Sequence, residues 1–389
     1  MIRTAALCYL LGAAALTAQT FQISMAPTVT MPAKTVDGNS PAFRDEHGIL
    51  HVYTSTGAQP ERMSGPSVTE LSLDTAPVVE PADHYPIWIE SVWRDEDGTV
   101  YGWYHHEPDA KSICGDRGLT APKIGAVVSH DGGQTFRDLG LVLTSGDQPN
   151  CSAENGFFAG GHGDFSVILD RERTFFYFLF TNYAGSAHQQ GVAIARMPFA
   201  DRAEPVGKVH KYFLGEWSEP GVGGMMTPIF AANRSWDHED TDSYWGPAIH
   251  WNTSAQSYVM VMNHACCSEN WPQEGIYITF NADLAHPEDF TTPMKLIDDA
   301  EIGFSPGYYP QIFGAGEGET DSLAGREARL FIKGVSNWAL TFLSPEESEA
   351  AAPPEDNPID CSNAECTIDS DNAFGSGRRL QASPARKKQ

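Results

Sequence analysis

Hydrophobic and polar positions along this chain alternate in short bursts rather than at helical spacing. The clearest burst, His162 to Tyr183 (HGDFSVILDRERTFFYFLFTNY), passes from a short apolar strand through a polar turn into a long aromatic strand. Four stretches repeat that outline: NSPAFRDEHGILHVYTST from Asn39, IESVWRDEDGTVYGWYHH from Ile89, WGPAIHWNTSAQSYVMVMNH from Trp245 and YPQIFGAGEGETDSLAGREARLFIKG from Tyr309. Runs dense in Val, Ile, Tyr, Phe and Trp, joined by Asp, Gly, Asn or Ser, predict β-hairpins. Hairpins recurring roughly every 50 to 80 residues predict radial repetition.

Three units continue into a third strand (IGAVVSHDGGQTFRDLG, GVAIARMPF and GIYITFNADL), and the fifth ends in VSNWALTFL. The chain therefore reads as all-β, a five-bladed β-propeller over residues 39–343. Six blades result if Lys208 to Ala231 forms one by itself, although its Gly and Pro content predicts a loop. A lead-in at 19–38 contains the alternating run FQISM, which can close the ring against the last blade. Residues 344–389 are poor in aromatics and segregate their charge, which predicts a disordered tail. Ser129, Asp131, Gly133, Thr135 and Phe136 fit the S-x-D-x-G-x-T-[W/F] pattern of an Asp box, a structural hairpin turn in which the carboxylate accepts backbone N–H bonds.

Residues 1–18 combine Arg3, an apolar run and a small-residue exit at Ala18, the build of a secretory signal peptide and too short for a membrane span. The expectation is a secreted or periplasmic/extracellular protein without stable membrane insertion. Beyond Cys8 stand Cys114, Cys151, Cys266, Cys267, Cys361 and Cys366, an even set that reads as disulfides in an exported chain. Cys114 with Cys151 and Cys361 with Cys366 are reasonable pairs. Cys266 and Cys267 then need either a vicinal bridge or partners elsewhere. Asn233 and Asn252 fit the glycosylation acceptor pattern. Twenty-five Lys and Arg against 51 Asp and Glu give a net charge of −26, a field that repels phosphate backbones and excludes nucleic acid as a partner.

In a propeller the innermost strand of each blade starts beside the axis, so residues at these starts converge on one pocket. They are Asp37 and Asn39, Glu90, Asp164, Trp245 and Tyr309. Carboxylates that accept sugar hydroxyls, beside aromatic planes that stack on sugar rings, suit a carbohydrate ligand. His105, His106, His162 and His264 fall near the same end, and with the carboxylates they make Ca²⁺ or another divalent cation a candidate for the axial pocket. Aligned on the turns, Glu90 stands one step out of phase with Asp164, and a one-step shift would point it to the other face.

Five such units, with DFSVI in one and GPAIHWN in a later one, resemble the five-bladed glycoside hydrolases, especially family 43 and its relatives in families 32, 62, 68 and 117. The resemblance implies a carboxylate entering the first blade as base or nucleophile, a mid-ring Asp, matched by Asp164, and a Glu general acid before Gly-Pro. Here Trp245 occupies that last place, with Asp242 the nearest carboxylate, and the first blade offers Asn39 with Asp37 two residues earlier. The implied function is hydrolysis of a glycosidic bond with Asp164, Glu90 and Asp37 as catalytic candidates and Asn39, His106, His162, Trp245, His264 and Tyr309 as substrate contacts. A non-catalytic glycan- or ligand-binding propeller is the alternative. A sialidase-like enzyme would require an arginine triad that the strand starts lack.

Overall fold

A computed structural model describes residues 21–351 except 35, 57–58, 81–85, 270 and 303–306. The signal-like segment, the tail beyond 351 and the Cys361–Cys366 pair lie outside the described residues. Five antiparallel sheets follow one another along the chain and make a five-bladed propeller. The first blade holds the strands Ala42–Arg44, Leu50–Thr56, Gln59–Gly65 and Ser72–Leu73. The second holds Ile87–Arg94, Val100–His106, Lys123–Ser129 and Thr135–Leu143, with Val78–Glu80 parallel to the last of these. The third starts at His162–Leu169, the fourth at Asp242–Asn252 and the fifth at Pro310–Gly314.

The segment 208–231 forms neither a sixth blade nor a plain loop. His210–Phe213 and Glu216–Pro220 extend the third blade outward, and Phe230–Ala231 pairs with the edge of Gly191–Pro198. Val209 and Met226 are buried in the blade core, which gives those strands something to cover despite the local glycines.

The ring closes twice over. Phe21–Thr30 adds an outermost strand to the fifth blade by pairing antiparallel with Val335–Phe342, from Phe21↔Phe342 to Thr30↔Val335. On the inside, the Ser40 N–H donates to Gln311 Oε1 at 2.7 Å and the Ala42 N–H to Asp321 Oδ1 at 2.9 Å, joining the first blade to the fifth.

Blade faces bury aromatic layers against their neighbours. Trp103 of the second blade meets Phe176 and Phe178 of the third at 5.0 and 5.7 Å between ring centroids. Edge and tilted contacts of this kind add to the area the rings remove from water. Asp131 Oδ1 accepts the Thr135 N–H at 2.9 Å and the Ser129 hydroxyl at 2.7 Å, pinning the hairpin whose Phe136 is buried. A disulfide joins Cys114 to Cys151 across 37 residues. It ties together a loop whose Thr120 carbonyl accepts the Ala159 N–H at 2.8 Å. That loop becomes one wall of the axial cavity. Cys266 and Cys267 are bonded to each other.

Candidate active site

Local irregularities at three innermost strands build the site. In the second blade Ile89 pairs with Tyr104 and Ser91 with Trp103, leaving Glu90 as an extra residue in the ladder. In the third, Gly163 pairs with Thr181 and Phe165 with Phe180, leaving Asp164 extra. In the fourth the ladder slips between Trp245 and Ala248, across Gly246-Pro247, where proline has no N–H to give. A bulge re-aims a side chain that strict alternation would send elsewhere. Glu90 accordingly faces the axis, the bulge offsetting its one-step difference in phase from Asp164.

These strand starts line a cavity of about 320 Å³, within the size range of small-molecule sites. Asp37, Glu90, Glu107 and Asp164 all face it, and Trp88, Phe157, Phe158, Trp245, Trp271, Tyr308 and Tyr309 supply aromatic walls. Three of the four carboxylates are held by protein donors. Glu90 Oε2 accepts the Phe165 N–H at 2.8 Å, while its Oε1 is hydrogen-bonded to His105 Nδ1 at 3.2 Å. Asp164 accepts the Tyr183 hydroxyl. Asp37 accepts Trp88 Nε1–H at 3.3 Å and the Tyr309 hydroxyl at 3.4 Å.

Burial sets the protonation of this group. Loss of water, which penalises the charged form, raises Glu90 to about 8 despite the Phe165 N–H, and the Asp37 charge adds to the rise. Desolvation likewise raises Asp164 and Glu107 to about 7 each. Glu90, Asp164 and Glu107 therefore still carry protons as pH approaches neutrality. Backbone strain marks the same place: Asp164 and Tyr309 have φ of 42° and 57°, a left-handed conformation that Asp tolerates and Tyr rarely adopts.

These shifts carry a stability consequence. Below about pH 3 both folded and unfolded chains hold the protons of Glu90, Asp164 and Glu107; the unfolded chain releases them as pH passes the ordinary values of 3.8 for Asp and 4.5 for Glu, and the folded one does not until about 7 to 8. Stability is thus lost as pH rises through that window. The thermal midpoint should fall by about 5 °C between pH 5 and pH 8, and Glu90→Gln should flatten the slope. A midpoint that rises across this range would contradict the assignment.

The structure separates the remaining sequence candidates. Trp245 and Tyr309 line the cavity, with the Trp245 indole N–H donating to Gln273 Oε1 at 2.9 Å. Asn39 is buried below it, its amide donating to the carbonyls of Phe165 at 2.8 Å and Pro247 at 3.0 Å, so it ties three blades together. Alternation along Val100–His106 directs His105 to the cavity and places His106 Nδ1 3.3 Å from the Pro86 carbonyl oxygen. His162 is buried against Phe180, with ring centroids 4.8 Å apart. His264 sits between Asp242 and Glu274, 3.0 Å from each, and does not line the cavity.

Sequence reasoning missed Glu107, Trp88 and Trp271. Glu107 directly follows the histidine pair, but strand periodicity says nothing of the residue just past a strand's end. The acidic run WDHEDTD also opens on a structural residue. Trp236 is fully buried and packs on Trp271 at 4.9 Å and Tyr183 at 5.0 Å, backing the cavity wall.

Glu90, His105 and Asp164 can each point one atom to a common centre within 4.8 Å of one another. They suit Ca²⁺ poorly. That ion takes six to eight oxygens, whereas this set supplies a ring nitrogen and a Glu90 whose two oxygens already have hydrogen-bond partners. Among the described residues a second group, Asp242, His264 and Cys266, has its sulfur committed to the vicinal disulfide.

Several solved structures share the fold. A thermostable family-43 glycoside hydrolase aligns over 81% of this chain and 91% of its own, at 12% identity and a TM-score of 0.48. An endo-arabinase from Bacteroides thetaiotaomicron covers 82% and 97% at 12% identity and 0.49, and an exo-1,5-α-L-arabinanase from a bovine ruminal metagenomic library covers 80% and 94% at 12% and 0.47. No family model and no curated protein matches the sequence. The likeness is one of propeller fold. Among the described residues no helix is long and apolar enough to cross a membrane.

Proposed function

We propose that this propeller is an exported enzyme that hydrolyses a glycosidic bond in its axial cavity. The observation that carries the reading is the convergence of Asp37, Glu90, Glu107 and Asp164 on one aromatic-walled cavity. Hydrolysis needs an acid to protonate the leaving oxygen and a carboxylate to attack or to activate water. Asp164, raised to about 7, is suited to carry the proton at neutral pH. Asp37, half-buried at the start of the first blade, is the base or nucleophile in this reading.

Glu90 takes a different part. Both its oxygens are engaged by protein groups, the Phe165 N–H at 2.8 Å and the His105 ring at 3.2 Å. It holds His105 and the Phe165 N–H and, when ionised, pushes the Asp164 proton affinity upward. In this reading Glu90 stands beside the reaction and positions its neighbours.

A non-catalytic glycan-binding propeller is the second reading, favoured by Trp245 standing before Gly246-Pro247, its indole committed to Gln273. A hydrolysis panel of oligosaccharides, read by released reducing ends, separates the two. The native chain should cleave at least one linkage, with Asp37→Asn slower by about 100-fold or more. Binding to glycans without release of reducing ends from any of them would establish the second reading.

A further inference from the structure

The four carboxylates of the cavity are not equivalent, and the difference bears on which sugar the cavity takes. Asp37, Glu90 and Asp164 each accept hydrogen bonds from the protein. Glu107 does not. Its nearest polar neighbour is His105 Nε2 at 3.4 Å, an atom that is itself buried without a hydrogen bond. Among the described residues the His105 imidazole is the one group within ion-pair reach of the Glu107 side chain, which is largely withdrawn from water at 23% exposure. A half-buried carboxylate without donors is costly unless something else supplies the positive charge.

The surroundings suit a cation. Trp88, Phe157 and Trp271 line the cavity alongside Glu107, and aromatic faces attract ammonium groups through their quadrupole. Trp271 is 8% exposed and packs its ring against Phe157 at 4.8 Å between centroids, so this wall offers aromatic surface. One lysine lines the cavity, Lys333, and it does not neutralise the four acids: its Nζ lies over the Tyr308 ring, 5.7 Å from the centroid. Beyond the cavity, a chain of net charge −26 concentrates cations near its surface.

Resting on the glycoside reading above, we infer that the cavity selects a sugar bearing a free amine, a glucosamine-type residue whose ammonium group is received by Glu107 within the Trp88, Phe157 and Trp271 walls. Binding then draws Glu107 toward its ionised form and releases a proton, because the carboxyl is held up to about 7 without the cation. An N-acetylated sugar has no charge to offer, and its bulk occupies the same place without satisfying the acid.

The test is titration of the whole chain at pH 7 with a glucosamine trimer and with its fully N-acetylated counterpart, read by tryptophan fluorescence and by calorimetry in two buffers of different ionisation heat. The free-amine trimer should bind at least tenfold more tightly, with a buffer-dependent heat that reports proton release. Glu107→Gln should bring both trimers to similar affinity and remove the buffer dependence, and Glu107→Asp should restore part of each. Unfolding curves of the variants show whether the cavity is intact. Equal affinity for the two trimers, no binding of either, or a preference that survives Glu107→Gln would overturn the inference. Cleavage of neutral glycans without any amine preference would sink it and leave the hydrolase reading standing. Tight amine-selective binding without cleavage of any glycan would do the reverse.

Discussion

Asp164→Asn should lower kcat/KM by about 10²- to 10⁴-fold on any glycoside the native chain cleaves, while leaving the thermal midpoint at pH 7 within a few degrees. The separation of the two effects follows from the local structure. Asparagine tolerates the positive φ of 42°, and its carbonyl oxygen can still accept the Tyr183 hydroxyl. It also matches a carboxyl that burial keeps protonated, so no buried charge is gained or lost near neutrality. What the amide lacks is the proton to donate. In the native chain, activity should decline as pH rises through about 7, where Asp164 gives that proton up. Steady-state kinetics beside unfolding curves decide the matter, and turnover by Asp164→Asn within twofold of native would remove this residue from the chemistry.

A chain starting at Met31 should lose its folded ring. Phe21 and Ile23 pack against the core of the fourth and fifth blades, where Phe21 contacts Phe280 and Phe342 at 6.2 and 6.4 Å. Without Phe21–Thr30, the outer edge of Val335–Phe342 presents unpaired N–H and C=O groups, and open edges invite aggregation. The truncated chain should melt at least ~10 °C lower or elute as aggregate on size exclusion. The milder Ile23→Pro, which removes one N–H and fits a strand poorly, should cost a smaller part of this. An unchanged melting temperature for the truncation would mean that the inner contacts between the first and fifth blades suffice to hold the ring.

The hairpin pattern made the propeller legible from sequence, because burial on one face of each strand writes period-two alternation into the chain. Asp164 was legible for the same reason: it stands at the head of the most regular unit. Glu90 was found as a strand start but with an ambiguous direction, since a single-residue bulge shifts phase without leaving a distinctive residue behind. Glu107 and Trp271 left no signal at all. One lies just past a strand and the other in a loop after the vicinal cysteines, and loop side chains follow tertiary packing rather than periodicity. The histidines misled for the opposite reason. Neighbouring positions at a strand end look alike in sequence, yet alternation gives only His105 to the cavity. Position 39 attracted attention as a strand start, where an amide turned out to join blades.

The strand that latches the ring is among the first parts of the described chain to be made, and its partner is among the last. Phe342 follows Phe21 by 321 residues. At synthesis rates of about 5–20 residues per second, this edge waits roughly 15 to 60 seconds for the sequence that pairs with it. Until then four blades can form from contacts close in the chain, but the circle stays open and the cavity at its centre has no fixed shape. The final step of folding is therefore a search between two distant ends, and it assembles the pocket and the closed ring together.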